Sequence, residues 1–342
     1  MEPITVAPHE DHDITLPSGE TFHVVLFGGR DAVYRERGES PPPVVFCVHG
    51  AGMSSASFFL LATHLAGSSE QNSSESPVRV VTYDMRCHGD STYGGGEAGL
   101  TLRVLVDDFR ALLAAVRPTL FPDTPQLYVA GHSLGGSVVV HGLRGGGADG
   151  IAGVVLLDIA EGTAAGSLRH MDTFLRDRPT RFDAVDAAAQ WFLQRGGMRS
   201  PAAAAITVPP LLKLVEDGHF EWKSDLAAMA SVWSDWFEGL DEAFISLPCP
   251  KLLCLANTER LDVALTVAQM QGKFQLEVLG NGCGHYVMDD QPAVLAAKLR
   301  RFIKRIETMS EILRLNTKRS PSTNQTKAPS GEAKRVTEVP RS

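Results

Sequence analysis

Short apolar segments of strand length alternate with segments of helical periodicity along most of this 342-residue chain. The strand-like segments, rich in β-branched and other apolar residues, are 21–27, 44–48, 78–83, 126–130, 153–157, 251–256 and 274–279. The segments with apolar residues at helical spacing are 56–66, 102–116, 134–143, 261–271 and 292–306. This alternation predicts an α/β fold, with a doubly wound and mostly parallel sheet that carries helices on both faces.

The alternation breaks between about 162 and 247, where helix-like stretches follow one another without a strand pattern between them. We therefore expect a helical lid inserted into a single domain that covers 1–316. From 317 onward the composition changes to Lys, Arg, Ser, Thr and Pro, with few apolar residues. Such a segment cannot bury enough apolar surface to fold, so we expect a disordered basic tail at 317–342.

Charge and composition exclude several classes of partner. The chain holds 40 Asp and Glu against 32 Lys and Arg, a net charge of -8, which does not attract nucleic acid. No segment has the 18 consecutive apolar residues of a membrane span, and the acidic N-terminal residues do not resemble a secretory signal. Five cysteines without C-x-x-C spacing indicate reduced thiols and no metal site. We expect a cytoplasmic protein, with the basic tail pairs 318–319 and 334–335 as a candidate nuclear signal or, more simply, a solvated tail.

A G-x-S-x-G motif lies between a strand-like and a helix-like segment. It consists of Gly131, His132, Ser133, Leu134 and Gly135. In this context the motif is typical of a nucleophile elbow, a tight strand-to-helix turn that exposes the serine hydroxyl above the sheet. The glycines are needed because a side chain at either position would meet neighbouring backbone. Ser133 is therefore the candidate nucleophile.

A second glycine-containing turn, His49 to Gly52, directly follows the strand-like segment 44–48. Hydrolases with a nucleophile elbow place the second donor of the oxyanion hole on such a loop. The backbone N–H groups of Ala51 and Leu134 are therefore the candidate donors for the oxyanion. The alternative is a glycine-rich turn with a structural histidine, which the elbow at Ser133 makes less favoured.

The serine needs a base and an orienting acid. His285 is the best-placed base, because it follows the last strand and precedes the final helix, in the chain order serine, acid, histidine. His132 and His88 are better explained as residues that fix loops. Two carboxylates fit the acid, Asp158 at the end of one strand and Asp262 after the next, and chain order alone does not choose between them.

These motifs make the segment from about 44 to 302 resemble the α/β-hydrolase superfamily, and within it the protein phosphatase methylesterases. The more specific stretches are D-x-x-E-G-T-A from Asp158, F-L-R-x-R-P from Phe174, W-x-x-W-F-x-G-L from Trp233 and Q-M-Q-G-K-F-Q from Gln269. The resemblance implies removal of the methyl ester from the C-terminal leucine of the protein phosphatase 2A catalytic subunit. It also implies that the triad acid is Asp158 and not Asp262.

The sequence thus predicts a serine esterase that works through an acyl-enzyme, with Ser133 as nucleophile, His285 as base and Asp158 as orienting acid. No metal or organic cofactor is needed for this chemistry, and the expected partner is the methylated C-terminal tail of the phosphatase catalytic subunit. Trp233 and Trp236 in the lid are candidate substrate contacts, with core packing as the alternative. The rival functions are a small-molecule esterase or lipase on the same fold, and a non-catalytic module that binds phosphatase.

Overall fold

A computed structural model describes residues 5–67, 76–92, 96–280 and 282–319. Its eleven strands within these ranges are β1 (His9–Thr15), β2 (Thr21–Phe27), β3 (Val44–Val48), β4 (Arg79–Tyr83), β5 (Leu127–His132), β6 (Ile151–Leu157), β7 (Arg181–Phe182), β8 (Leu212–Leu214), β9 (Phe220–Trp222), β10 (Lys251–Leu255) and β11 (Gln275–Val278). The α-helices described are α1 (Asp31–Glu36), α2 (Phe59–Ala66), α3 (Leu102–Leu120), α4 (Leu134–Gly142), α5 (Glu161–Asp177), α6 (Val185–Trp191), α7 (Pro201–Thr207), α8 (Leu240–Ser246), α9 (Val263–Met270), α10 (Val287–Asp290) and α11 (Pro292–Arg319).

Eight strands form the main sheet in the order β1-β2-β4-β3-β5-β6-β10-β11. The pairs β1–β2 and β2–β4 are antiparallel. The other strands of this sheet, which are β4, β3, β5, β6, β10 and β11 in spatial order, pair in parallel. Every residue of β3, β4 and β10 is buried, as expected for strands covered by helices on both faces. The predicted doubly wound, mostly parallel sheet is confirmed.

The sheet order places the functional loops together. The chain passes from β3 outward to β4 and then returns to β5 on the other side of β3. At such a reversal the carboxyl ends of neighbouring strands leave a crevice in which open α/β sheets bind their ligands. The turn at His49 follows β3, Ser133 follows β5 and Asp158 follows β6, so all three lie at this one edge of the sheet.

Helices on the two faces bury separate apolar clusters. α3 and α4 pack on one face, where Phe109 and Val139 lie fully buried, and α2 and α11 pack on the other, around Leu61 and Phe302. Thr101 caps the start of α3 by accepting a hydrogen bond from the N–H of Val104. In the ranges that the structure describes, none of the helices combines the length and the apolar character that crossing a membrane requires.

The segment between β6 and β10 differs in part from the expectation of an all-helical insertion. It contains α5 to α8, but also a small antiparallel sheet in the order β7-β9-β8. These strands are two or three residues long, too short for period-two alternation to be recognised in a sequence. Residues of these strands belong to an apolar cluster that includes Trp191 and Phe192. The same cluster contains Met53, which lies in the loop after β3, and Leu60 of α2.

The chain divides into two compact units, Met1–Ile306 and Glu307–Ser342. The structure describes residues 307–319 of the second unit, and these residues form the end of α11. The predicted tail at 317–342 therefore lies outside the described residues except for its first three positions. The boundary of the single domain at 316 stays a prediction.

Candidate active site

The serine turn has the backbone geometry that its glycines imply. Ser133 joins β5 to α4 and has φ +51° and ψ -122°, a conformation that side-chain-bearing residues rarely adopt. A Cβ at Gly131 would overlap the carbonyl oxygen of Gly135, and one at Gly135 would overlap that of Val48. Both positions thus require glycine. The turn holds the hydroxyl-bearing residue at the mouth of the crevice between β3 and β5.

A buried carboxylate and a histidine meet beside this turn. Asp158 follows β6, is fully buried and, like Ser133, has a positive φ of +51°. One of its carboxylate oxygens accepts the N–H of Ala256 at 2.8 Å, and the other lies 2.8 Å from Nδ1 of His285. The second bond fixes the proton of a neutral His285 on Nδ1, which leaves Nε2 as an acceptor. The side chain of His285 is 31% exposed, and it faces the same cavity as Ser133.

His132 supports the loop that carries His285. Its Nε2 lies 2.9 Å from the backbone carbonyl of His285, and the two rings are 4.6 Å apart between centroids. His132 is buried in the elbow itself, which agrees with a loop-fixing role. The two sequence-predicted residues Asp158 and His285 are therefore in direct contact, and the residue before Ser133 holds the second of them in place.

The two candidate oxyanion donors have free N–H groups. A Cβ added at Gly50 would lie 3.2 Å from the Cβ of Ser133, so the loop after β3 approaches the serine closely. Leu134 is the first residue of α4, where N–H groups have no acceptor within the helix. Within the described part of the chain, neither the N–H of Ala51 nor that of Leu134 has a hydrogen-bond acceptor. Both remain available to an oxygen above Ser133.

Two buried histidines shape the loop that carries Ala51. Nε2 of His88 accepts the N–H of Gly52 at 2.9 Å, and Nε2 of His49 accepts the N–H of Met85 at 2.9 Å. Burial lowers the pKa of His49 to about 4, against the effect of its bond to the carbonyl of Gly50. Burial and then the neighbouring His49 lower the pKa of His88 to about 3. Both rings are thus neutral at pH 7, as acceptors of backbone N–H groups must be.

Asp262, the alternative acid, has other partners. It caps α9, where its carboxylate accepts the N–H of Leu265 at 2.9 Å. It is also hydrogen-bonded to the carboxyl of Asp241. Burial, followed by this hydrogen bond to Asp262, raises the pKa of Asp241 to about 8, so the pair shares a proton at neutral pH. The structure therefore brings Asp158, and not Asp262, to His285.

The cavity above Ser133 has a volume of about 240 Å³ and mainly apolar walls. The strand-end loops provide one side of it, and the segment between β6 and β10 provides the other, including Phe174, Trp233 and Trp236. Trp236 is only 2% exposed, and its indole N–H donates to the carbonyl of Leu100 at 2.8 Å. Trp233 is 6% exposed. Both tryptophans are thus packed in the core and also form part of the cavity wall.

Two polar residues of the cavity were not assigned from the sequence. Arg178 and Tyr286 line it together with Ser133 and His285. Arg178 belongs to the F-L-R-x-R-P stretch, and Tyr286 directly follows the predicted base His285. These two features are the sequence signals that could have pointed to the cavity. A lone arginine after a helix is ordinarily a solvated charge, so its position in the sequence does not predict a place in the cavity.

One group of side chains has the spacing of metal ligands. The ligand atoms of His23, Asp84 and Asp90 lie within 4.8 Å of one another. The carboxylate of Asp84 already accepts the backbone N–H of Ser55 at 2.7 Å and that of Asp90 at 2.8 Å. These bonds tie the loop after β4 to the turn after β3, so we assign Asp84 to loop structure.

The sheet order, the strained serine turn and the aspartate–histidine pair at the strand ends define a serine hydrolase of the α/β type. A family model described as "Alpha/beta hydrolase family" matches residues 44–298. Solved structures agree at the level of fold. E-2-(acetamidomethylene)succinate hydrolase covers 87% of this chain and 100% of its own, with a TM-score of 0.67 at 18% identity. An esterase of Mycobacterium tuberculosis covers 88% and 93%, with a TM-score of 0.63 at 18% identity.

Curated relatives narrow the class. A protein phosphatase methylesterase 1 of Schizosaccharomyces pombe is 37% identical over 254 residues, which cover 74% of this chain and 72% of the relative. The human protein phosphatase methylesterase 1 is 30% identical and the alignment covers 81% and 80% of the two chains. The chain belongs to the protein phosphatase methylesterase family of the alpha/beta hydrolases. The resemblance noted in the sequence is confirmed, and the protein is a carboxylic ester hydrolase.

Proposed function

We propose that this enzyme removes the methyl ester from the C-terminal leucine of the protein phosphatase 2A catalytic subunit. The observation that carries the proposal is the bond between His285 Nδ1 and Asp158 at the cavity that Ser133 lines, in a chain of the methylesterase family. Members of that family are named for action on a protein phosphatase. The identity of the phosphatase and of its methylated residue rests on the resemblance.

The proposed reaction consumes one water and releases methanol. His285 Nε2 accepts the hydroxyl proton of Ser133 as the oxygen attacks the ester carbonyl, and Asp158 stabilises the imidazolium that forms. The N–H groups of Ala51 and Leu134 bind the oxyanion, and loss of one such donor costs about 10²- to 10³-fold in rate. His285 then protonates the departing methoxide. Water, deprotonated by the same histidine, cleaves the acyl-enzyme and leaves the free carboxylate.

The test is release of the methyl group from carboxymethylated phosphatase catalytic subunit. Wild-type enzyme should release methanol and expose the C-terminal carboxylate, and Ser133→Ala should release neither. If the wild-type enzyme leaves the methylated phosphatase intact but hydrolyses p-nitrophenyl acetate through Ser133, the small-molecule esterase is the correct function. If it hydrolyses neither ester but binds the phosphatase, it is a binding module.

We infer that the enzyme acts in the cytoplasm or the nucleus. Its five cysteines are free thiols, and Cys47 and Cys254 are buried in the sheet. Such thiols are compatible with a reducing compartment. Microscopy of the full chain and of a chain ending at residue 316 would show whether the basic tail directs it to the nucleus.

A further inference from the structure

The cavity contains a cation that forms no salt bridge within the described residues, although Asp225 acts on it electrostatically from a longer distance. Arg178 lies in a mainly apolar wall, and its guanidinium stacks over the ring of Trp222 at 4.1 Å. Within the described residues it has no hydrogen-bond acceptor and no carboxylate within salt-bridge distance. Burial lowers the pKa of Arg178 to about 10, which still leaves the group charged at pH 7. The side chain is half-buried, and its guanidinium has five N–H donors that are available to an oxygen atom in the cavity.

Arg178 is held in this position by its neighbours. The next residue, Pro179, has a carbonyl that accepts the indole N–H of Trp222 at 2.7 Å, so the ring on which Arg178 stacks is itself fixed to the same turn. Phe182 and Phe192 pack edge-on against Trp222 at 5.0 and 5.7 Å between centroids. The ring on which the guanidinium stacks is thus fixed, and this stack places Arg178 in the wall of the cavity.

Tyr286 provides a second polar group to the same cavity. Its hydroxyl has no hydrogen-bond partner among the described residues. Burial raises its pKa, with Arg178 acting in the opposite direction, so the two groups interact electrostatically and the phenol stays neutral. Two polar groups without acceptors, facing one small cavity beside Ser133 and His285, form a site for an oxygen atom of the substrate.

We propose that Arg178, assisted by the hydroxyl of Tyr286, binds the main-chain carbonyl that precedes the esterified residue. This inference rests on the proposed function. A C-terminal residue esterified at its carboxylate is neutral, and beside the ester its main-chain polar atoms are its own amide N–H and the carbonyl of the preceding residue. A donor-only group such as a guanidinium can bind only the carbonyl. Recognition of that atom distinguishes a peptide ester from a simple ester.

Two esters that differ in the acetamido group test the proposal, and the Arg178 variant separates the contribution of its carbonyl from that of its N–H. N-acetyl-leucine methyl ester has the carbonyl, whereas methyl 4-methylpentanoate has the same side chain and ester without the amide. The wild-type enzyme should prefer the first in kcat/KM. Arg178→Met should reduce that preference by about 10- to 100-fold, the range for loss of a hydrogen bond from a charged donor, and the change should appear in KM. Hydrolysis of methyl 4-methylpentanoate should change by less than about threefold.

Matched variants separate recognition from folding. Arg176→Met removes an exposed arginine of the same stretch, which among the described residues bonds to Thr173 at 3.1 Å, and should leave both esters unaffected. Arg178→Lys keeps the charge and should retain part of the preference for N-acetyl-leucine methyl ester. This variant replaces Arg178→Met in the test if Arg178→Met does not fold. Tyr286→Phe should lower the preference by a few-fold only. Where turnover is slow, competition of each ester against fluorophosphonate labelling of Ser133 gives the ratio of their affinities, in which the loss should also appear.

Two outcomes would overturn the inference. Equal loss on both esters in Arg178→Met, with a lowered melting temperature, would make the arginine a structural residue. An unchanged ester preference combined with loss of inhibition by free N-acetyl-leucine would assign Arg178 to the product carboxylate. Either result is compatible with demethylation of phosphatase, whereas failure of the wild-type enzyme to demethylate phosphatase would refute the proposed function itself.

Discussion

Asp158→Asn is the sharpest test of the catalytic assignment, because the substitution preserves shape and removes one charge. The carboxylate oxygen of Asp158 that accepts the N–H of Ala256 at 2.8 Å can be replaced by the amide oxygen of asparagine. The amide NH₂ then faces Nδ1 of His285, at the position where a carboxylate oxygen lies 2.8 Å away. Because the NH₂ can only donate, the proton of His285 must move to Nε2, and the ring can no longer accept the proton of Ser133.

The magnitude follows from this change of tautomer. In the serine protease triad the same substitution lowers kcat by about 10⁴-fold, which corresponds to about 5.4 kcal/mol of transition-state stabilisation. The hydrogen bonds to Ala256 and His285 are retained, so the free energy of unfolding should change by only about 1 kcal/mol. Single-turnover release of methyl groups from methylated phosphatase gives the rate, and thermal unfolding of the same preparation gives the stability.

Asp262→Asn is the matched control. Asparagine caps helices as well as aspartate does, so the bond to Leu265 should persist and activity should stay within about threefold of the wild type. If Asp262→Asn lost several orders of magnitude while Asp158→Asn stayed active, the acid would be Asp262. If both variants kept full activity, the assignment of His285 as the base would also be wrong.

Further predictions concern the nucleophile, the lid and the buried carboxyl pair. Ser133→Ala should abolish turnover without unfolding the protein, and a fluorophosphonate should label the wild-type chain at Ser133, as mass spectrometry of the adduct would show. Trp233→Ala should lower kcat/KM on methylated phosphatase more than on p-nitrophenyl acetate, whereas Trp236→Ala, which also loses the bond to Leu100, should lower the melting temperature and reduce both activities equally. Asp241→Asn copies the protonated carboxyl, whose pKa is raised to about 8 by burial and by Asp262. Since the folded protein holds that proton more tightly than the unfolded chain does, wild-type stability falls as pH rises from 4 to 8, and the melting-temperature advantage of the variant should grow over that interval.

The places of Ser133 and His285 at one cavity were predictable because each residue is tied to a local pattern. Glycines on both sides of Ser133, between a strand and a helix, are typical of a nucleophile elbow. His285 was predicted from its position between the last strand and α11. The acid was not predictable from the residues alone. Asp158 follows β6 and Asp262 lies seven residues beyond β10, and these strands are neighbours in the sheet, so both carboxylates belong to the same edge. Only three-dimensional contacts decide which one reaches the histidine.

The lid was harder to predict for a different physical reason. Its strands β7, β8 and β9 are stabilised by pairing with one another and not by their own periodicity. The position of Arg178 depends in the same way on Trp222, which is distant in sequence. Contacts of this kind leave no spacing signal along the chain. The lid residues therefore could be recognised as helical or aromatic, but their orientation toward the cavity could not.

The walls of the cavity come from two parts of the chain, and this arrangement indicates which residues determine substrate preference. Ser133, Asp158 and His285 lie on loops that follow strands of the main sheet. Arg178, Trp233 and Phe174 come from the segment between β6 and β10, which forms the opposite wall. Residues 1–316 have a net charge of -12, because the tail holds six basic and two acidic residues, so long-range attraction to an acidic partner is excluded. For the protein tail proposed as substrate, we expect specificity to come from short-range contacts of the segment between β6 and β10, and changes there should alter substrate preference without altering the chemistry at Ser133.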